Sequence, residues 1–240
     1  NLSMSNLVSS FLSSSWRRHA VAMLVVILMA ALALRGVQKA VGDTVTVEQL
    51  QATEILVPRE QDARVGQTFF VDYRGLSAVA VKLTTEGQPG SAAVVFHLQA
   101  SGQVLLTRTL AVKSLVDEAY YTFEFDPLSD LVEQDAYFYL EQSDVEAGKG
   151  LAVWATEDDA YSEGELVLSG FESADVQDLA FRLTYQPSLF EKVGILARRL
   201  TEDKPSLWGD VRLYVLIGGL YLGMVYLLIV NVLAFSEYST

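Results

Sequence analysis

At 240 residues the chain has room for one ordinary folded domain plus membrane segments, and it combines 51% hydrophobic residues with a formal net charge of -13, so the two properties are expected in separate stretches. Its 30 acidic residues outnumber 17 Lys and Arg, fall almost wholly between Asp43 and Asp210, and exclude nucleic acid as a partner by repelling phosphate. The absence of cysteine excludes a disulfide framework, a thiolate nucleophile, an iron–sulfur site and a thiolate zinc site.

Residues 1–18 form a short, Ser-rich, weakly amphipathic segment expected on the cytoplasmic side. It opens on Asn1 rather than Met, so position 1 is not read as the translated start, and Met4 is the alternative. Trp16, Arg17 and Arg18 then precede an uninterrupted apolar run from His19 to Leu34 that stops at Arg35. This order suits a signal peptide or a first anchor, and Ala31-Leu32-Ala33 offers a small-residue cleavage pattern. The run is read as a retained transmembrane helix over 19–37, lengthened by Gly36-Val37 and by arginines that snorkel at its ends.

Over 44–187 the pattern changes to period two. Val79, Val81 and Leu83 alternate with Ala80 and Lys82, and Val94, Phe96 and Leu98 alternate with Val95 and His97. Tyr121, Phe123 and Phe125 behave likewise, as do Leu179, Phe181, Leu183 and Tyr185. Successive strand side chains point to opposite faces, so each set predicts a strand with one buried face. Turn chemistry at Gly87-Gln88-Pro89-Gly90, Ser101-Gly102, Asp126-Pro127, Gly148-Lys149-Gly150, Gly164 and Gly170 separates them. Seven to nine short strands with regular turns predict an antiparallel, all-β, jelly-roll-like sandwich inserted between two transmembrane helices.

Residues 188–210 return to helical spacing, with Leu189, Val193, Leu196 and Leu200 on one stripe, which predicts an amphipathic interfacial connector. Pro205 is expected to end it and Trp208 to mark the headgroup level. Val211–Phe235 is the second span: it carries one charge, Arg212, and its 25 residues cover about 37 Å at ~1.5 Å each, more than the ~30 Å hydrocarbon core. Gly219 and Gly223, with Gly218 adjacent, form a GxxxG face on which two helix backbones can approach, and Tyr226 and Asn231 add polar edges that seek partners in hydrocarbon. Residues 236–240 complete the chain as a cytoplasmic tail. Arg17 and Arg18 favour an inside N-terminus, whereas Arg35, Lys39, Arg198, Arg199, Lys204 and Arg212 flank the domain side. Long translocated domains escape that charge rule, so the orientation read is both termini inside and the domain outside, in the plasma membrane.

Several strand words carry a family resemblance: Gly66-Gln67-Thr68-Phe69, Leu76-Ser77, Val95-Phe96-His97-Leu98, Tyr121-Thr122-Phe123-Glu124-Phe125 and Tyr137-Phe138-Tyr139-Leu140. Trp154 with Asp159-Ala160-Tyr161, Gly164, and Asp178-Leu179-Ala180-Phe181-Arg182 complete it. From Gly66 to Pro187 the chain resembles the jelly-roll, carbohydrate-binding-module-like domains that some bacterial polytopic proteins, glycosyltransferase-like ones among them, carry outside the membrane. The resemblance spans about half the chain and implies a fold more firmly than a ligand. With two spans rather than many, this chain has nowhere to build a membrane-embedded transferase site.

Enzyme motifs are absent: no GxSxG, Walker loop, GxGxxG or HExxH, and His19 and His97 are the two histidines. His97 is expected on the outer face of its strand. His19 could ligate a haem or chlorophyll metal, but a polar residue beside Arg17 and Arg18 at the membrane edge needs no such role. The runs Glu157-Asp158-Asp159 and Asp126, Asp130, Glu133, Asp135 lack EF-hand spacing and read as solvated loops before they read as calcium sites. Trp154 and Tyr161, with Asp159 nearby and Tyr120 and Tyr121 as further aromatics, could contact a glycan, although aromatics in sandwiches are more often core. The function expected is therefore a non-catalytic accessory or scaffolding subunit of a larger membrane complex, with no cofactor or metal. Its expected partners are other integral membrane subunits and the lipid bilayer. The alternative is a membrane-anchored cell-surface module that binds polysaccharide.

Overall fold

The computed structural model describes residues 4–60, 62–85, 93–111, 116–142, 151–171, 175–201, 204 and 206–238, with the side chains of 4–15, 206, 207 and 236–238 excepted. Two units make up the chain: residues 43–188, and residues 1–42 together with 189–240. The turn words at 87–90 and 148–150, and Pro205, lie outside the described residues.

The first unit is an antiparallel sandwich of two sheets. In chain order its strands are β1 (Val45–Gln49), β2 (Glu54–Leu56), β3 (Arg64–Phe70), β4 (Leu76–Thr84), β5 (Ala93–Ala100) and β6 (Gln103–Ala111). There follow β7 (Ala119–Leu128), β8 (Asp135–Gln142), β9 (Ala152–Thr156), β10 (Leu166–Ser169), β11 (Asp178–Leu179) and β12 (Phe181–Tyr185). Strand β4 is the axis of the larger sheet: β7 lies along one edge, and β12 and β9 succeed one another along the other, carrying β1, β11 and β2. The smaller sheet has the order β10-β3-β8-β5-β6.

Period-two alternation builds the core. Phe69, Phe96, Phe138 and Phe181 are fully buried, each worth ~1.5–3 kcal/mol relative to exposure. Across the sandwich Phe96 stacks on Phe123 at 4.2 Å and Phe138 meets Phe181 at 5.7 Å. A polar clasp accompanies these rings. Gln67 donates to Asp178 Oδ1 at 2.9 Å and accepts from Leu179 N at 3.0 Å, while Asp178 Oδ2 accepts from the amides of Ala160 and Tyr161, both at 2.8 Å. Both side chains are almost completely buried, so their hydrogen bonds are obligatory.

The turn expected at Asp126-Pro127 is instead continuous strand: β7 runs on to Leu128. Phe125, Asp126 and Pro127 have no partner on β4, whose register with β7 shifts between Leu76 and Ala78, and a proline without an amide hydrogen is tolerated at such a bulge. Ser101-Gly102 is the expected turn, linking β5 to β6 with φ of 49° and 75°, the pair of positive values a two-residue hairpin loop demands.

The second unit is helical. Helix α1 (Met4–Val41) extends at both ends beyond the 19–37 span expected, α2 covers Leu189–Thr201, a 3₁₀ turn covers Ser206–Gly209, and α3 is Val211–Tyr238. Within them Trp16–Val41 and Val211–Phe235 are long and apolar enough to cross a membrane, and few or none of their residues are buried. Where α1 and α3 meet, Ala22 is completely buried and His19 Nδ1 lies 2.7 Å from Tyr226 Oη. A residue near the start of the first run therefore meets one in the second half of the other.

Candidate binding face on the five-stranded sheet

In β8 the inward residues Ala136, Phe138 and Leu140 alternate with Asp135, Tyr137, Tyr139 and Glu141 on the other face, where neighbouring side chains leave Tyr139 only 8% exposed. Register extends this into rows. Gly66 of β3 lies opposite Tyr139, which lies opposite His97 of β5, which lies opposite Thr107 of β6. Arg64 lies opposite Glu141 in one neighbouring row, and Thr68 opposite Tyr137 in the other.

The side chains in these rows touch. His97 stacks on Tyr139 with centroids 4.5 Å apart and planes 14° from parallel, and Tyr137 stacks on Tyr139 at 5.2 Å. The Arg64 guanidinium sits 4.8 Å from the Tyr139 ring and donates to Glu141 Oε1 at 3.1 Å. His97 Nδ1 is 3.1 Å from Thr107 Oγ1, and its Nε2 is 3.6 Å from Glu141 Oε2. At the other end Thr68 Oγ1 accepts from Glu165 N at 2.7 Å. Gly66 makes the ladder possible. A Cβ there would collide with the Phe138 carbonyl oxygen and come within 2.7 Å of the Tyr137 ring and of Tyr139 Cβ.

The electrostatics follow from this packing. Burial holds the His97 imidazole below its ordinary pKa, with Arg64 acting in the same direction and Glu141 opposing. The hydrogen bond to Glu141 raises the Arg64 pKa further, and burial pushes the Tyr137 phenol up to about 12. At neutral pH the face thus carries a neutral imidazole, the un-ionised Tyr137 phenol and the Arg64–Glu141 ion pair.

The residues singled out from sequence are dispersed. Tyr161 is buried with its ring edge-on to Phe181 at 5.1 Å, and burial pushes its hydroxyl up to about 12, so it is core and not a glycan platform. Trp154 is on the outer face of the larger sheet under Lys82, whose Nζ is 4.2 Å from the ring, and its Nε1 is buried with no hydrogen-bond partner among the described residues. Tyr120 faces the same way beneath Arg182, at 5.3 Å. Tyr121 turns edge-on to Phe123 at 5.0 Å. Asp159 is exposed and lines an open cleft of about 740 Å³ with Thr68, Glu163 and Glu165. Among the described residues no three of His, Asp and Glu converge as a metal-holding group.

In the helical unit, a Cβ at Gly218, Gly219 or Gly223 would meet nothing within 4 Å, so α1 packs on α3 elsewhere, through Ala22 and Tyr226. Asn231 satisfies its amide on its own helix, donating to Leu227 O at 2.8 Å. Of the residues expected at the membrane interface, Trp16, Arg17, Arg35, Trp208 and Arg212 are exposed and Arg18 is half-buried. Sequence reading missed Tyr137, Tyr139, Arg64, Glu141 and Thr107 as one surface. The signal that could have found it is Gly66, a glycine inside a strand pattern, which marks close approach by a neighbour.

No family model matches this chain, and no curated protein matches it. Among solved structures it is similar to the xylan-binding module CBM15 (8% identity, 60% of this chain and 99% of that one, TM-score 0.33). It is also similar to carbohydrate-binding module CBM36 in complex with calcium and xylotriose (11% identity, 52% and 99% covered, TM-score 0.26). A third similar chain is Xylanase10C from Cellvibrio japonicus in complex with xylopentaose (11% identity, 52% and 20% covered, TM-score 0.23). Similarity at this level carries no argument about a ligand.

Proposed function

We propose that this chain is a membrane-anchored, non-catalytic recognition module whose sandwich, held outside the cell membrane by two spans, binds saccharide on the outer face of its five-stranded sheet. The observation that carries the reading is the stacked row of Tyr137, Tyr139 and His97, in which the buried Tyr139 backs the half-buried Tyr137 and His97, edged by Arg64, Glu141, Thr68 and Thr107. A sugar offers apolar C–H patches bordered by hydroxyls, and aromatic surface edged by hydrogen-bonding groups complements both. The test is a glycan array probed with the full chain in nanodiscs. At least one oligosaccharide is expected to bind, with affinity reduced about tenfold (~1.4 kcal/mol) by Tyr137→Ala and unchanged by Trp154→Ala. A uniformly blank array counts against the reading.

A second reading, an accessory subunit of a larger membrane complex, is favoured by the open positions at Gly218, Gly219 and Gly223, where a further helix could approach closely. Gentle extraction followed by mass spectrometry would then recover a stoichiometric membrane partner that Gly219→Ile and Gly223→Ile release. A chain that extracts alone argues against it.

A further inference from the structure

Helix α2 carries an apolar stripe that the fold does not use. Leu189, Val193, Leu196 and Leu200 recur at helical spacing; Leu196 is half-buried, but the other three are exposed, as is Phe190, 87% of whose surface is bare. The side of α2 turned inward is a different one, carrying Lys192 and Ile195. An amphipathic helix in water buries its stripe against protein; here the stripe stays open beside two apolar helices that are themselves uncovered.

The level of the end of α2 is fixed by its neighbours. Asp210 caps α3, its Oδ1 accepting from Arg212 N at 2.9 Å. Tyr214 donates its hydroxyl to Trp208 O at 3.1 Å, and Lys204 Nζ lies 3.4 Å from that hydroxyl and 5.7 Å from the ring centroid. Such a cluster of Trp, Tyr and Lys at the mouth of an apolar helix belongs at the headgroup level of a bilayer. Lys204 N then donates to Thr201 O at 3.0 Å, which ties the last turn of α2 to this collar. That last turn holds Arg198 and Arg199.

We propose that α2 lies in the headgroup layer and binds anionic phospholipid, with Phe190 and the Leu189/Val193/Leu200 stripe among the acyl chains and Arg198 and Arg199 on lipid phosphate. The proposal rests on the membrane-anchored reading of α1 and α3 and is independent of any ligand on the sheet. Two observations select lipid as the occupant: the stripe continues the bare surface of the spans, and the charge is complementary. Residues 43–188 hold 25 of the 30 acidic and 8 of the 17 basic residues, a net -17, whereas the helical unit is +4. On α2 itself Lys192, Arg198 and Arg199 outnumber Glu191, although Glu202 and Asp203 follow in sequence. Arginine forks bind phosphate oxygens bidentately.

The chain has no cysteine, so single labels can be placed at will. Phe190→Cys, Leu220→Cys in α3 and Ser162→Cys in an exposed sandwich loop, each spin-labelled in the full chain, would be measured in nanodiscs of phosphatidylcholine with and without phosphatidylglycerol. Labels 190 and 220 are expected to lie in lipid and label 162 in water. In native mass spectrometry the ratio of retained phosphatidylglycerol to phosphatidylcholine is expected to fall about fivefold for each of Arg198→Gln and Arg199→Gln. A label at 190 as water-accessible as that at 162, with 220 in lipid, overturns the proposal and leaves the anchor standing; both 190 and 220 in water overturn the two together. A lipid ratio indifferent to the arginines also overturns the proposal.

Discussion

Gly66 and His97 are neighbours of the same tyrosine and show how single side chains set the outer face. At Gly66 the obstacle to a methyl group is backbone, the Phe138 carbonyl, which cannot swing away as a side chain can. Gly66→Ala is therefore expected to destabilise the sandwich at the upper end of the ~1–3 kcal/mol typical of overpacking, measured by urea unfolding of the full chain. A variant as stable as the parent would show that β3 and β8 can separate there. His97 has its pKa depressed, chiefly by burial, so the fold prefers the neutral ring. Between the ordinary value of about 6.5 and the lower folded-state value the unfolded chain binds more protons, so the contribution is complete above pH ~6.5 and is lost as pH falls through the folded-state value. His97→Gln should accordingly lose less stability than the parent between pH 7 and pH 5. Parallel pH profiles for the two proteins would exclude this role.

At the scale of elements, two contacts hold separate pieces of chain together. Asp178 of β11 accepts from Gln67 of β3 and from two amides of the loop after β9, at Ala160 and Tyr161. Asp178→Ala leaves these donors buried and unanswered, at ~1–3 kcal/mol for each unsatisfied group, and a loss of roughly 3 kcal/mol or more in chemical denaturation is the expected outcome. In the helical unit, Ala22 leaves no room for a longer side chain. Ala22→Leu should separate α1 from α3 and raise the distance between spin labels at positions 26 and 229 in nanodiscs, whereas Gly223→Leu should not. The strands were legible where burial alternates residue by residue, as in Ala93–Ala100 and Phe181–Tyr185, and less so in β4, where Ala78 and Ala80 are buried along with Val79 and Val81. Asp126-Pro127 misled because a proline at a bulge obeys the same local rule as one in a turn. The binding face was not legible, since Arg64, His97, Thr107 and Tyr139 are far apart in sequence and become one surface only through the register of four strands. Tyr161 was misplaced for a related reason: whether an aromatic residue in a loop turns into the core depends on the ring it meets, here Phe181.

For the molecule as a whole, the sandwich encloses its own core of buried phenylalanines and its own polar clasp, and each sheet is completed by strands from residues 43–188. That segment expressed alone is expected to fold and to unfold cooperatively in water, with dispersed amide resonances as the check. A collapsed, poorly dispersed spectrum would mean that the helices contribute to its stability. The separation of charge, -17 on the sandwich and +4 on the helical unit, has a consequence for crowding in the plane. Anchored as proposed, the protein cannot dilute itself into bulk solution, so neighbouring copies would meet edge to edge, and their acidic domains would repel out to roughly a Debye length, ~8 Å at physiological ionic strength. Spacing between copies would thus be set by salt, contracting as ionic strength rises.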